Sequence, residues 1–200
     1  MNSIGHADVL RGETGRPVGR HQLNSRFHFS FMKRSATSRN ETYGSSIKEI
    51  GSFGSVEDFW SFYTHLTRPN DLPVNTDYYV FREPIKPLWE DPENKHGGRW
   101  TIRLKKGIAN RAFEDMSICL MGEQFDEYET VNGLALSVRY QEDILSLWTR
   151  TSDEQPRLDS IRDVAQAAME YLPTMKNTDW EYKRHEVVVD GLLKKDAAAR

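Results

Sequence analysis

Apolar and polar positions alternate in several short stretches of the chain. Phe27, Phe29 and Phe31 are separated by His28 and Ser30, which is the period-two pattern of a half-buried strand. Further strands are predicted at 78–82, 99–104, 134–140, 144–149 and 180–189. The short polar link between 140 and 144 predicts that two of these strands form a hairpin.

Helical spacing of apolar residues marks three other segments. In the first, Ser55–Thr67, a serine at the N-cap precedes two acids in the first turn, and both features are helix-start signals. Phe59 and Tyr63 belong to its apolar arc, and Val56 and Trp60 lie together on the edge of that arc. The other predicted helices are 111–121 and 157–172.

The order of these elements is strand, helix, strands, helix, hairpin, helix and strand, without regular βαβ alternation. It predicts an α+β fold, in which an antiparallel sheet carries the helices on one face and leaves the other face free for a ligand. A chain of 200 residues with 38% hydrophobic residues suits one globular domain. We predict a flexible N-terminal tail at 1–20, a single domain at 21–190 and a flexible C-terminal tail at 191–200.

Composition excludes several function classes. The net charge is −3, from 27 basic and 30 acidic residues, so no global positive field favours a long nucleic-acid duplex. The single cysteine, Cys119, cannot form an intramolecular disulfide, which fits a reducing compartment. No stretch approaches the roughly 20 apolar residues of a membrane span. We therefore expect a soluble, cytoplasmic monomer that has no membrane partner.

Candidate catalytic chemistry is weak. The sequence contains no GxSxG, no Walker-type glycine-rich loop and no HExxH, and its six histidines show no metal-ligand spacing. Glu90 and Asp91 are adjacent acids, but neighbours on an irregular loop rarely form an acid/base pair, and nothing near them resembles a nucleophile. We therefore expect no enzyme activity, no catalytic residues, no metal site and no cofactor.

The strongest candidate chemistry is a turn-rich segment that joins aromatic rings to charges. Residues 85–100, IKPLWEDPENKHGGRW, place a tryptophan beside two acids and end in an arginine and a second tryptophan. A nucleobase held between two rings gains about 1–3 kcal/mol per stacking contact, and a carboxylate can accept the paired N–H donors of guanine. Core tryptophans and solvated charges remain an alternative at this point. The candidate ligand-holding residues are Tyr43, Trp89, Glu90, Arg99 and Arg139.

The sequences of five segments resemble those of one protein family. They are SVEDFWSFYTHLTRP at 55–69, IKPLWEDPENKHGGRW at 85–100, LMGEQF at 120–125, LSVRYQEDILSLW at 136–148 and EYKRH at 181–185. Their order and intervals are similar to those of the translation initiation factor 4E family, which binds the 7-methylguanosine cap of mRNA. Within that family the chain most resembles the class II branch, 4E-homologous protein. In TYGSSIKEIG, Tyr43 stands where other members carry the first cap-stacking tryptophan.

The resemblance implies a fold and a ligand site. The fold would be a curved antiparallel sheet of about eight strands with three helices on its convex face and the cap on its concave face. Tyr43 and Trp89 would sandwich the methylated guanine, Glu90 would accept its N–H donors, and Trp148 would lie against the methyl group. Two arginines would hold the phosphates. The complete implied cap-binding set is Tyr43, Trp89, Glu90, Arg99, Arg139 and Trp148.

The resemblance also implies a partner surface on the convex face. A short amphipathic helix of a factor 4G-like scaffold or of a 4E-binding repressor protein would dock there. The class II branch favours competition with the main cap-binding factor and repression of translation. The alternative is an interaction scaffold that uses the Trp60 surface and has a weak or decayed cap slot. The implied partner-binding residues are His21, Leu23, Val56, Trp60 and Ile118.

The chain departs from the family pattern at several places. After Arg139, where lysines are usual, residues 140–143 read YQED, with acids and no base. Fewer cations at the phosphates predict weaker and less salt-dependent cap binding. In the first strand, Ser30 stands near the place of the usual tryptophan.

Overall fold

The structure of the protein is a computed structural model. It describes residues 19–34, 43–172 and 179–186, apart from the side chains of Tyr43 and Ser45. Most of the predicted tails, 1–18 and 191–200, therefore lie outside the described residues. The strands are β1 (Gln22–Lys33), β2 (Ile47–Ser55), β3 (Thr76–Arg82), β4 (Gly98–Lys105), β5 (Val131–Val138), β6 (Glu142–Thr149) and β7 (Glu181–Arg184). The α-helices are α1 (Val56–Tyr63), α2 (Pro92–Lys95), α3 (Ala109–Met121) and α4 (Gln155–Met169).

The strands form one antiparallel sheet in the order β2-β1-β3-β5-β6-β4-β7. The predicted α+β fold with a curved antiparallel sheet is confirmed. The described residues contain seven strands, where about eight were expected. Register shifts interrupt the β1–β2 and β5–β6 ladders, and such irregularities bend strands and increase their twist.

The helices begin close to where the sequence predicts. At the start of α1, the Ser55 hydroxyl accepts a hydrogen bond of 3.1 Å from the Asp58 backbone N–H, as expected for an N-cap. The helix ends at Tyr63, earlier than the predicted Thr67, and the hydroxyl of the C-cap residue Thr64 donates to the Trp60 carbonyl at 2.7 Å. Throughout the described residues, no helix is long and apolar enough to cross a membrane.

One strand, β2, has no counterpart among the predicted elements. Its sequence, IKEIGSFGS, contains two glycines and little alternation, and as an edge strand it is buried only over its last three residues. The predicted last strand, 180–189, is shorter than expected. β7 ends at Arg184, and residues 187–189 lie outside the described residues.

The main core lies between the sheet and the helices α1, α3 and α4. Phe27 and Phe29 of β1 contribute to it, with Phe31 packed at its edge, as their alternation predicts. Trp100 is buried there, and its indole N–H donates to the Leu158 carbonyl at 2.9 Å. The helices therefore cover one face of the sheet, and the opposite, concave face carries separate side chains.

Candidate functional site

A small aromatic cluster lies on the concave face of the sheet, separate from the main core. It is centred on Phe81 of β3 and Trp148 of β6, whose rings meet edge to face with centroids 5.5 Å apart. Trp89 and Ile47 pack against this cluster and are half-buried. Two of the candidate aromatic residues, Trp89 and Trp148, are thus brought to one place. The buried members are Met32, Tyr79, Phe81, Ile85, Ala135 and Trp148.

Trp89 and Glu90 lie on the loop between β3 and the short helix α2. Glu90 is exposed, whereas the residues that hold the loop are not. Asn94 is fully buried, and its side-chain amide donates to the carbonyl oxygens of Lys86 and Leu88, both at 2.8 Å. Asp91 caps α2, and its carboxylate accepts the Lys86 backbone N–H at 3.0 Å. The loop is therefore irregular in shape but fixed by hydrogen bonds from the buried Asn94 and from Asp91, which pre-organise the tryptophan and the acid.

Asn132 of β5 and His185, directly after β7, complete this support. The side-chain amide of Asn132 donates to the Glu93 carbonyl at 2.6 Å and to the side-chain oxygen of Asn94 at 3.0 Å. His185 is fully buried, and its Nδ1 lies 2.8 Å from the Asn94 carbonyl, to which it must donate because a carbonyl oxygen only accepts. Burial lowers the pKa of His185 to about 4, with the nearby Arg99 charge acting in the same direction.

Close backbone contacts explain why residues 97 and 98 are both glycine. A β-carbon at Gly97 would lie 1.7 Å from the Thr149 carbonyl oxygen, and one at Gly98 would lie 2.6 Å from the Lys183 carbonyl oxygen. Neither distance is possible for a real side chain, so only glycine allows the loop to pass this close to β6 and β7.

Trp148 forms the floor of this region. Its side chain is 4% exposed, and its ring centroid lies 4.5 Å from that of His185. Within the described residues, its buried indole N–H has no hydrogen-bond partner. The Arg99 guanidinium lies 5.7 Å from the centroid of the Trp148 ring, within the range of a cation–π contact. A cation and a ring are therefore already associated beside the Trp89 loop.

A groove of about 220 Å³ runs from Trp148 along the concave face. Arg139, directly after β5, lines it and donates to the Asp77 carboxylate at 2.6 Å. Asp77 is 1% exposed and also pairs with Arg34 at 3.3 Å, so two guanidiniums share one buried acid. The charged side chains along the groove are Arg34, Arg99, Arg103, Arg139, Lys183 and Glu181. Cations outnumber acids along it, which gives a local positive surface on a chain of negative net charge.

The turn between β5 and β6 differs from the sequence prediction. Glu142 and Asp143 are not free acids, because Glu142 pairs with Arg103 and Asp143 accepts from the Lys106 ammonium at 2.6 Å. Lys106, directly after β4, therefore supports the turn. Tyr140, the last residue of the predicted strand 134–140, is 84% exposed because the strand ends at Val138.

Tyr43 begins a short 3-10 helix, Tyr43–Ser46, directly before β2. Its side chain lies outside the described part of the structure. A β-carbon at the next residue, Gly44, would lie 3.4 Å from a methyl carbon of Leu88. The backbone around Tyr43 therefore reaches the loop that carries Trp89.

The predicted partner-binding residues lie on or beside the helix-covered face. Val56, Trp60 and Ile118 are 40%, 37% and 41% exposed, which is unusual for large apolar side chains on helices that otherwise pack inward. The Trp60 ring leans edge-on against Phe59 at 5.0 Å, so it is held in place without being buried. These three side chains, Val56, Trp60 and Ile118, are called the convex patch below.

The two remaining residues of that set have structural contacts. The His21 ring lies 2.6 Å from the Glu57 carboxylate, and the His21 carbonyl accepts the Val56 N–H at 2.9 Å. Hydrogen bonding from His21 holds the pKa of Glu57 below its usual value. Leu23 is half-buried against the main core. His21 and Leu23 thus join the start of β1 to α1 beside the convex patch.

Sequence reasoning missed the residues that hold the site. Asn94, Asn132 and Asp77 are buried polar side chains with several partners each, and in sequence they look like ordinary turn or strand residues. The one available signal was Asp91 before Pro92, an N-cap followed by proline at the first helical position. Among the described residues, no three His, Cys, Asp or Glu side chains come together to hold a metal ion.

Comparison with known proteins gives consistent matches. A family model described as eukaryotic initiation factor 4E matches residues 22–198. Eukaryotic translation initiation factor NCBP of Oryza sativa subsp. japonica is 42% identical over 84% of this chain and 73% of its own length. Eukaryotic translation initiation factor 4E-4 of Caenorhabditis elegans is 41% identical over 85% of this chain and 80% of its own length.

Solved structures agree with these matches. The complex of C. elegans eIF4E-3 with the 4E-binding protein Mextli and cap analog has a TM-score of 0.76 at 31% identity, covering 91% of this chain and 97% of that chain. The complex of Ascaris suum eIF4E-3 with m7G cap has a TM-score of 0.75 at 32% identity, covering 82% of this chain and 91% of that chain.

Proposed function

This chain belongs to the eukaryotic initiation factor 4E family, and on that premise we propose that it binds the 7-methylguanosine cap of mRNA on its concave face. Tyr43 and Trp89 sandwich the methylated base, and Glu90 accepts its N–H donors. Trp148 lies beneath the base, and Arg99 and Arg139 hold the phosphates. Two nematode relatives of known structure, which are 31% and 32% identical to this chain, are described with a cap analog and with m7G cap.

One observation carries this proposal: a tryptophan and an exposed acid stand side by side on a loop fixed by hydrogen bonds to a buried asparagine and an aspartate cap. Asn94 and Asp91 hold that loop against the Trp148 cluster. A loop with only a structural role would not need a large ring half-exposed next to an unburied carboxylate. The pre-organised pair reduces the entropy that a ligand must overcome on binding.

The charges of the site match the charge of the ligand. Methylation at N7 makes guanine cationic, so its ring is attracted both to aromatic faces and to the Glu90 carboxylate. The triphosphate is anionic and suits the groove that Arg99 and Arg139 line. Because Arg139 is already paired with the buried Asp77, it is held in one orientation, and part of its charge is neutralised before the ligand arrives.

Tryptophan fluorescence tests cap binding directly. We expect 7-methyl-GTP to quench the protein at concentrations where GTP does not. Glu90→Gln should remove this selectivity, because the amide cannot accept both N–H donors. Glu93→Gln is the matched control: it changes an acid of the same segment that pairs with Arg150 at 3.0 Å, and it should leave selectivity intact. Equal quenching by both nucleotides in the wild type would overturn the proposal.

We further propose that the convex patch binds an amphipathic helix of a partner protein. Val56 and Trp60 stand one helical turn apart on α1, which suits apolar anchors spaced along a docked helix. C. elegans eIF4E-3 is described in complex with the 4E-binding protein Mextli. Partners for this chain would be a factor 4G-like scaffold or a 4E-binding protein.

The cellular role that fits these features best is that of a class II competitor or repressor of the main cap-binding factor, acting in the cytoplasm. Tyr43 in place of a tryptophan and the YQED turn after Arg139 support this assignment. Adding the protein to a cap-dependent translation extract should reduce output, and the Glu90→Gln variant should not. Stimulation of translation would contradict the role. Loss of repression in Trp60→Ala alone, with Glu90→Gln still active, would favour the scaffold alternative.

A further inference from the structure

Tyr140 is the most exposed large hydrophobic side chain in the described part of the chain, at 84%. It occupies the centre of the three-residue turn between β5 and β6, directly after Arg139, which lines the basic groove. The main core makes no use of its ring. An aromatic ring next to a positively charged groove is the arrangement that binds single-stranded nucleic acid.

The turn that carries Tyr140 is held rigidly. The Lys106 ammonium donates to the Arg139 carbonyl at 3.1 Å and to the Asp143 carboxylate at 2.6 Å. Glu142, the residue before Asp143 and the first of β6, pairs with Arg103 of β4. Both acids that follow the turn are therefore neutralised by cations on β4 or directly after it, so they do not present free negative charge to an approaching phosphate chain.

The groove runs along β6 and ends at this turn. Trp148 lies opposite Arg99 in the sheet register, and Ile144, four residues earlier on β6, lies opposite Arg103. At about 3.3 Å per residue, the groove extends about 13 Å along the strand from the Trp148 end to the Ile144 end. Arg139 and Arg103 line the far end, and Tyr140 is the next residue in the chain after Arg139. A ligand whose base lies at Trp89 and Trp148 and whose phosphates follow the arginines therefore leaves the protein at Tyr140.

We propose that Tyr140 is a stacking platform for the first nucleobase of the RNA chain, the one that follows the triphosphate of the cap. This inference rests on the proposed cap-binding function and extends its ligand from the cap nucleotide to the capped RNA end. Stacking needs no particular base, because every base has an aromatic face, so the contact tolerates any transcript sequence. The platform also offsets part of the affinity lost where family members carry lysines and this turn carries none.

The test compares ligands that differ only in that base. Binding of 7-methyl-GTP, of a capped trinucleotide, and of the same capped trinucleotide with an abasic first residue is measured by titration. The proteins are the wild type, Tyr140→Ala, Tyr140→Phe and, as the matched control in the same turn, Gln141→Ala. Because 7-methyl-GTP ends before Tyr140, its affinity reports the cap slot alone and also verifies that each variant is folded.

For the wild type, we expect the intact capped trinucleotide to bind about fivefold or more tightly than its abasic form, the lower limit for one base–aromatic stack. Tyr140→Ala should abolish that difference without changing 7-methyl-GTP affinity, and Tyr140→Phe and Gln141→Ala should preserve it. The proposal is overturned if Tyr140→Ala binds the three ligands as the wild type does, or if it weakens all three equally. Failure of the wild type to bind 7-methyl-GTP would instead overturn the cap-binding function, and this inference with it.

Discussion

The convex and concave faces of the sheet hold their functional side chains in different ways. On the convex face, Val56 and Trp60 stand on a regular helix whose inner side packs into the main core. On the concave face, Trp89 and Glu90 stand on an irregular loop, and Arg139 is held by the buried Asp77. The first surface needs only helical periodicity, whereas the second needs a network of buried polar partners.

This difference predicts how the two faces respond to mutation. Changes that disturb the buried network should reduce both the stability of the fold and binding on the concave face. Changes to the convex patch should affect partner binding with little effect on stability, because half-exposed side chains contribute little to the core. Mutations on the two faces should therefore differ in how much they change the free energy of unfolding.

The largest effect is expected from Gly97→Ala. The added methyl group would overlap the Thr149 carbonyl oxygen, so the loop and β6 must separate, at a cost of about 3 kcal/mol or more. Gly107→Ala is the control, because Gly107 has φ +99° and open space around it, so only the backbone penalty of about 1 kcal/mol applies. Urea unfolding measures both, and equal costs would mean that the close approach at Gly97 does not constrain the loop.

The stability of the fold should also depend on pH through His185. The pKa of His185 is about 4 in the folded protein and near 6.5 when unfolded, so below pH 6.5 the unfolded chain binds the proton that the folded chain excludes. Stability is therefore full above pH 6.5 and falls toward pH 4, by on the order of 3 kcal/mol. The burial that lowers the pKa of His28 acts in the same direction.

The His185→Gln variant isolates this contribution. Glutamine can still donate to the Asn94 carbonyl but does not titrate, so its stability should fall less than that of the wild type between pH 7 and pH 4. Unfolding free energies measured across that range for the two proteins give the difference directly. Parallel curves would show that His185 does not titrate as its burial predicts.

A smaller loss is expected from Asn94→Ala, which removes two hydrogen bonds to the Lys86 and Leu88 carbonyls and leaves each carbonyl with only its backbone donor. The cost should be about 2 kcal/mol, together with weaker 7-methyl-GTP binding and unchanged partner-peptide binding. Asn70→Ala removes an exposed asparagine that donates to the Gly107 carbonyl, and should cost well under 1 kcal/mol. If Asn94→Ala bound 7-methyl-GTP normally, the loop would not need this support.

The smallest change in stability is expected from Trp60→Ala, about 1 kcal/mol or less, because the ring is 37% exposed. A 4E-binding peptide should nevertheless lose most of its affinity, since a central tryptophan is a typical hot spot. Val74→Ala, a 44% exposed apolar residue outside the patch, should change neither property. A large stability loss in Trp60→Ala, with cap binding also reduced, would make Trp60 a core residue.

The contrast between the faces also explains what the sequence could predict. Periodicity located α1, α3 and α4, the Ser55 cap and the inward strand faces, because each depends on local spacing. Family resemblance placed Trp89, Trp148 and Arg139 on one face. Local patterns could not locate the side-chain partners that hold the loop, since Asn94 and His185 are 91 residues apart in the chain.

The strand prediction differs from the structure at two places for the same reason. β2 was missed because it is an edge strand with two glycines, so its residues carry little alternation. The predicted strand 134–140 extends too far because the apolar pattern continues to Tyr140, one step past Val138, where the strand ends and the turn begins. In both cases the pairing with neighbouring strands of the sheet, rather than the local sequence, determines where the strand lies or ends.

The most direct measurement is an NMR titration of the tryptophan indole N–H signals, assigned with single Trp→Phe variants. Addition of 7-methyl-GTP should shift the signals of Trp89 and Trp148, whose indoles lie on the concave face, and leave Trp60 and Trp100 unchanged. A 4E-binding peptide should shift Trp60 and spare Trp148. Cap analog shifts confined to Trp60, or no shifts at a concentration that saturates family members, would contradict cap binding on the concave face.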